Sequence, residues 1–124
     1  MLFQEKNKET DRDFSEGALW WLAGLLEGEG SFDFQCRTSE NRNGRIRIQL
    51  ATTDYDVAER VAYMLGVKVN GPYKQSGIGK LPTYRVMKSG VRIFPLWSRL
   101  YPLMGKRRQE QMVSAWARVQ AQRG

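Results

Sequence analysis

The run from Ala18 to Leu26 is an unbroken apolar segment with two tryptophans, Trp20 and Trp21, and it stops abruptly in Glu27-Gly28-Glu29-Gly30. A helix that is apolar all round is buried on every side, and this run is far too short to cross a bilayer. Two carboxylates therefore arrive at the end of a buried helix, where an unpaired charge is costly. A carboxylate kept in such a place implies a cation, a metal or a catalytic duty. Gly24 and Gly28 lie four apart, on one helical face, and lack the side chains that hold two helices apart. That spacing permits close backbone approach. It is equally compatible with a core helix that ends in an acidic turn. If the partner is a second copy of the same helix, two Glu29 side chains meet at one interface.

Composition narrows the chemistry. A chain of 124 residues is long enough for one domain with a modest core. Its formal net charge of +7 favours an anionic partner. The first 13 residues oppose that trend, with Lys6, Lys8 and Arg12 against Glu5, Glu9, Asp11 and Asp13. Residues 1–14 show no periodicity and read as a polar, mobile arm ahead of a single domain at 15–124. The lone cysteine, Cys36, excludes an internal disulfide and a cysteine zinc cluster. Histidine is absent, which removes the commonest general base and metal ligand. Any metal must then be held by oxygen, which favours magnesium or a similar divalent cation. The sequence shows neither a signal peptide nor a membrane span, so an intracellular location without membrane association is expected.

The periodicity changes after the motif. Ser15 is a suitable N-cap for the apolar helix. Beyond Gly30, Phe32, Phe34 and Cys36 alternate with Asp33, Gln35 and Arg37, the pattern of a strand with one buried face. Ser39–Gly44 is a polar turn, and Ile46, Ile48 and Leu50 then alternate with Arg45, Arg47 and Gln49. The resulting hairpin displays Asp33, Gln35, Arg37, Arg45, Arg47 and Gln49 on its polar side. Such a face is either solvated sheet or a ribbon fitted to the major groove. Its excess of arginine and glutamine over acids favours nucleic acid. Thr53 and Asp56 resemble a capping box for a helix with Val57, Val61, Met64 and Leu65 inward, closed by Gly66. Val67, Val69 and Tyr73 begin a third strand, Lys74–Lys80 forms a hairpin tip, and Tyr84-Arg85-Val86 returns. Lys74, Gln75, Arg85 and Lys88 extend the basic ribbon. Ser89 or a neighbour caps a further helix whose start, set by Pro95, falls as late as Phe94. A last helix begins near Lys106 with three cations, which oppose the helix dipole unless an anion lies nearby. Phosphate or the Glu29 site could supply that anion.

The stretch Leu22-Ala23-Gly24-Leu25-Leu26-Glu27-Gly28-Glu29-Gly30 resembles the LAGLIDADG signature of homing endonucleases, with glutamate in place of aspartate at both acidic positions and one copy of the motif. The resemblance extends over most of residues 15–123. It implies an α+β half-unit of order αββαββα, in which a curved four-stranded antiparallel sheet forms a DNA-binding saddle. It also implies a homodimer through the motif helix, along Leu22, Gly24, Leu25 and Gly28. The implied activity is metal-dependent hydrolysis of phosphodiester bonds in a long, roughly palindromic site of double-stranded DNA, in a setting associated with introns. Glu29 matches the metal-binding acid, with the Gly28 carbonyl as a further ligand. Gln49 matches a position that orients water, and Lys106 a basic residue before the last helix. Glu27 matches an acid that caps or supports the motif turn. Some relatives instead assist RNA splicing as maturases, and others use the fold as a DNA-binding regulatory domain without cleavage.

Overall fold

The computed structural model describes residues 15–36 and 43–123; the arm at 1–14, Arg37 and the 39–42 part of the turn lie outside the described residues. Helix α1 runs Glu16–Glu29, and the Ser15 side chain accepts the Ala18 N–H at 3.2 Å, as expected of an N-cap. Strand β1, Gly30–Gln35, starts at the residue after α1 ends. Gly30 makes this abrupt change possible: a Cβ there would run into Leu26 and come within 3.2 Å of the Gln49 carbonyl. The chain continues through β2, Arg45–Thr52, helix α2, Tyr55–Leu65, and strands β3, Asn70–Tyr73, and β4, Thr83–Ser89. A 3₁₀ turn at Val91–Ile93 leads into α3, Phe94–Leu100, and another at Tyr101–Leu103 precedes α4, Lys106–Arg123.

The strands form one antiparallel sheet in the order β1-β2-β4-β3. Its two faces follow from strand alternation. Phe32, Ile46, Ile48, Leu50 and Val86 are buried beneath the helices, with Leu22 and Leu26 of α1, Val61 and Leu65 of α2, Trp97 and Leu100 of α3, and Met112 of α4. Phe32 meets Trp97 edge to face at 5.4 Å, and Phe94 stacks on Trp116 at 4.3 Å. The other face is left open, and its register places Asp33 opposite Arg47, Ser31 opposite Gln49, Gln49 opposite Met87 and Ala51 opposite Arg85.

Several local expectations are corrected. Thr53 does not cap α2: the residue before that helix is Asp54, whose side chain makes no capping bond, so the Thr53–Asp56 spacing is not a box. Gly66 does close α2, in the left-handed conformation at φ 73° that glycine tolerates best. Ser89 is the last residue of β4, and α3 begins at Phe94 with Pro95 in its first turn, where a missing N–H costs nothing. Val67 and Val69 precede β3 instead of beginning it, and Cys36 is exposed beyond the end of β1. Nor is α1 buried on every side. Trp20 is 55 % exposed, and Gly24, Gly28 and Glu29 are exposed with it, along a strip that the described residues leave uncovered.

A candidate nucleic-acid interface and the carboxylate beside it

Glu27 and Glu29 are two residues apart, so on a helix their side chains diverge by about 200°. Glu27 turns toward α4 and its carboxylate accepts the Gly105 N–H at 2.7 Å. Within the chain, the anion at the basic start of α4 is therefore Glu27 and not Glu29. Glu29 is exposed and forms no ion pair among the described residues. It lines two adjoining clefts, each of about 270 Å³. One also holds Gly30, Ser31, Gln49 and Arg85, and so opens on the sheet's free face. The other holds Leu25, Thr52, Thr53, Asp54 and Val57. Gly28, next to it, is exposed at the helix end, where the last carbonyls have no intrahelical partner.

The expected groups are therefore gathered unequally. Gln49 shares a cleft with Glu29, while Lys106 does not line it. Lys106 is exposed at the first position of α4, whose start is tied to the motif through the contacts of Gly105 and Arg108 with Glu27. No cluster of three or more His, Cys, Asp or Glu side chains is present among the described residues. The oxygen donors at the end of α1 nevertheless suit a hard divalent cation: the Glu29 carboxylate, the backbone carbonyl of Gly28 and the negative end of the helix dipole, with no basic residue in the last turn.

On the open face, Asp33 is a shared acceptor. Arg47 reaches it through two nitrogens, at 2.9 and 3.0 Å, and Gln49 Nε2 donates to it at 3.1 Å. The Asp33 hydrogen bond raises the Arg47 pKa above its ordinary value, with burial opposing. Gln35 and Arg45 face one another one step along, both half-buried. Arg85 is exposed, with its guanidinium 5.4 Å from the Tyr73 ring centre. Lys74 and Gln75 are exposed at the tip between β3 and β4.

Two of the expected site residues lie elsewhere. Lys88 donates to the Leu65 carbonyl at 2.9 Å, on the helix side of the sheet. It is three residues from Arg85, and an odd separation puts two residues of a strand on opposite faces. Leu22, expected along the open helix strip, is fully buried in this chain's own core. The exposed strip consists of Gly17, Trp20, Gly24 and Gly28, flanked by half-buried Trp21 and Leu25. The Arg60 guanidinium of α2 lies 3.9 Å over the Trp21 ring. That contact, and the Glu27–Gly105 bond, had no local signal in the sequence.

The α+β fold with its open, four-stranded antiparallel sheet matches the half-unit fold of LAGLIDADG homing endonucleases. The homing endonuclease I-CvuI, in complex with its target in the presence of calcium, superposes with a TM-score of 0.59 at 16 % identity, over 81 % of this chain and 64 % of that one. The LAGLIDADG homing endonuclease I-LtrWI, bound to target DNA, gives 0.63 at 15 % identity, over 87 % of this chain and 38 % of that one. The group I intron-encoded I-CeuI, complexed with DNA, gives 0.61 at 12 % identity, over 98 % and 62 %. This chain thus spans less than two thirds of the length of each. No protein-family profile matches the sequence, and no curated protein does. Among the described residues, no helix is long and apolar enough to cross a membrane.

Removing Arg47 tests the open face directly. On a base-reading role for this face, Arg47→Ala should relax base preference at one position and cost about 1–3 kcal/mol of specific binding. The partly exposed Arg47–Asp33 pair contributes on the order of 1 kcal/mol or less to folding, so the melting temperature should barely move. Selection of binding sites from a randomised pool reads the preference. Uniformly weaker binding with an unchanged preference would show that Arg47 meets phosphate alone.

Proposed function

We propose that this protein is a site-specific, divalent-metal-dependent double-strand DNA endonuclease that works as a homodimer. One observation carries the reading: a free carboxylate, Glu29, ends the helix that leads into a DNA-binding type of sheet, in a cleft shared with Gln49 and Arg85. Glu29 and the Gly28 carbonyl would hold the cation, which supplies charge neutralisation at the phosphate and acidification of water. Gln49, half-buried and steadied by Asp33, would orient the attacking water through its amide. Lys106 would stabilise charge developing on the departing oxygen. Arg85 lies where it can neutralise a flanking phosphate. The open-face residues Asp33, Gln35, Arg45 and Arg47 would read bases, with Lys74 and Gln75 at the hairpin tip; Arg37, expected to join them, lies outside the described residues.

Assembly follows from the same helix. A double-strand break needs two hydrolysed phosphodiesters, and each chain offers one Glu29. Packing two copies through Gly24, Leu25 and Gly28 covers the exposed apolar strip and brings both carboxylates to one interface. Cleavage of a plasmid library with and without magnesium tests the activity. Binding of DNA without cutting would favour a regulatory domain, and binding of structured RNA in its place would favour a maturase. Within the endonuclease reading, Gln49→Ala and Lys106→Met should each slow single-turnover cleavage by about 10²–10³, with smaller effects on affinity. Rates near wild type in both variants would move the catalytic assignment elsewhere.

A further inference from the structure

The last turn of α1 and the first turn of α4 are joined by two reciprocal contacts. The Glu27 carboxylate takes the backbone N–H of Gly105, while Arg108 Nε and Nη2 donate to the backbone carbonyl of Glu27 at 3.3 and 3.2 Å. The remaining Nη1 donates to Gln111 Oε1 at 3.0 Å. Arg108 is only 9 % exposed, the one charged side chain counted in the core among the described residues. Burying a guanidinium is costly unless its donors are engaged, and a packing role alone would be met by an apolar side chain. Here two of the donors converge on a carbonyl that the end of α1 leaves without a helical partner.

The neighbours of these groups give the clamp its meaning. Glu29 follows Glu27 by two residues, and Lys106 precedes Arg108 by two. One contact runs from a side chain of α1 to the backbone just before α4 and the other from a side chain of α4 to the backbone of α1, so together they restrict rotation as well as separation. Gly105 belongs to the same fit, because a Cβ at that position would lie 3.2 Å from Glu27 Oε2. We infer that Arg108 is a positioning residue that fixes Lys106 relative to Glu29 by locking the two turns that carry them. The inference rests on the roles proposed above for Glu29 and Lys106.

A double-mutant cycle separates positioning from general stability. Arg108→Met should slow single-turnover cleavage by about 10²-fold, the scale of a 1 Å misplacement. In a Lys106→Met background it should cost little more, because the group that it places is already gone. Arg108→Lys, with one compact donor in place of the fork, should recover part of the rate. Equal losses in both backgrounds, or an unchanged rate in Arg108→Met, would overturn the inference. Amide hydrogen exchange provides a readout that does not depend on cutting. Arg108→Met should speed exchange at Gly105 and Gly30 together while the α2 amides stay protected, and protection unchanged at both would also overturn it. If the wild-type chain cuts no DNA but the two amides still respond together, the endonuclease reading fails and the clamp stands. Should Arg108→Met not fold, Glu27→Ala removes the other half of the clamp and replaces it in both arms.

Discussion

Glu29→Gln is expected to abolish DNA cleavage while sequence-specific binding persists. The side chain is exposed and forms no ion pair among the described residues, so an isosteric amide disturbs neither packing nor a partner. What changes is charge. An amide is a poor ligand for a hard divalent cation, and a backbone carbonyl at the end of α1 cannot hold one alone. The loss should exceed the roughly 10²–10³-fold that removal of one positioned donor produces. Binding moves the other way: without divalent metal, a carboxylate beside phosphate is repulsive, so Glu29→Gln should bind DNA at least as tightly as the wild type. Gel shifts in calcium and in chelator, beside single-turnover cleavage in magnesium, make the comparison. Cleavage at near wild-type rate would show that Glu29 is not the metal ligand. Glu27→Gln is the comparison: that carboxylate serves the Gly105 N–H and not the metal, so its effect on cleavage should stay below that of Glu29→Gln.

The alternation of Asp33, Arg47 and Gln49 with Phe32, Ile46 and Ile48 made the two faces of the sheet legible from sequence, because a strand's side-chain period is fixed at two. The same rule condemned Lys88 as a partner for Arg85, since residues three apart in a strand point in opposite directions. The motif helix was harder. Leucine, alanine and tryptophan surround it on all sides, so composition could not separate the buried Leu22 from the exposed Trp20; packing on the sheet decides which side is inner. Glycine positions were informative for opposite reasons. Gly30 is required by the approach of Leu26 and the Gln49 carbonyl, whereas a Cβ on Gly24 or Gly28 would meet nothing within 4 Å. The divergence of Glu27 and Glu29 followed from helical geometry. Their partners did not, because Gly105 and Arg108 lie far along the chain and reach Glu27 only through tertiary packing.

On the proposed reading, Gly24→Leu is expected to split the homodimer and to end double-strand cleavage. The substitution is informative because it should not harm the single chain. A Cβ at position 24 has open space around it, and the position is exposed. Replacing glycine in a helix interior removes a cost of roughly 0.5–1 kcal/mol, so the isolated fold should hold or gain stability. A helix that pays this cost at Gly17, Gly24 and Gly28, all on its uncovered side, keeps that side flat for something outside the chain. Trp20 adds a large apolar surface to the same strip. A second copy satisfies these features at once, and an isologous pairing places the same Glu29 and the same saddle on both halves of a roughly palindromic site. Leucine at position 24 would hold the two helices apart and separate the two carboxylates. Light scattering with and without DNA reads the mass, circular dichroism confirms that α1 persists, and plasmid assays separate nicking from double-strand breakage. A variant that is folded, monomeric and unable to break both strands is the expected result. A wild-type chain that is monomeric on DNA and cuts both strands of an asymmetric site would overturn the dimer and, with it, the two-carboxylate interface.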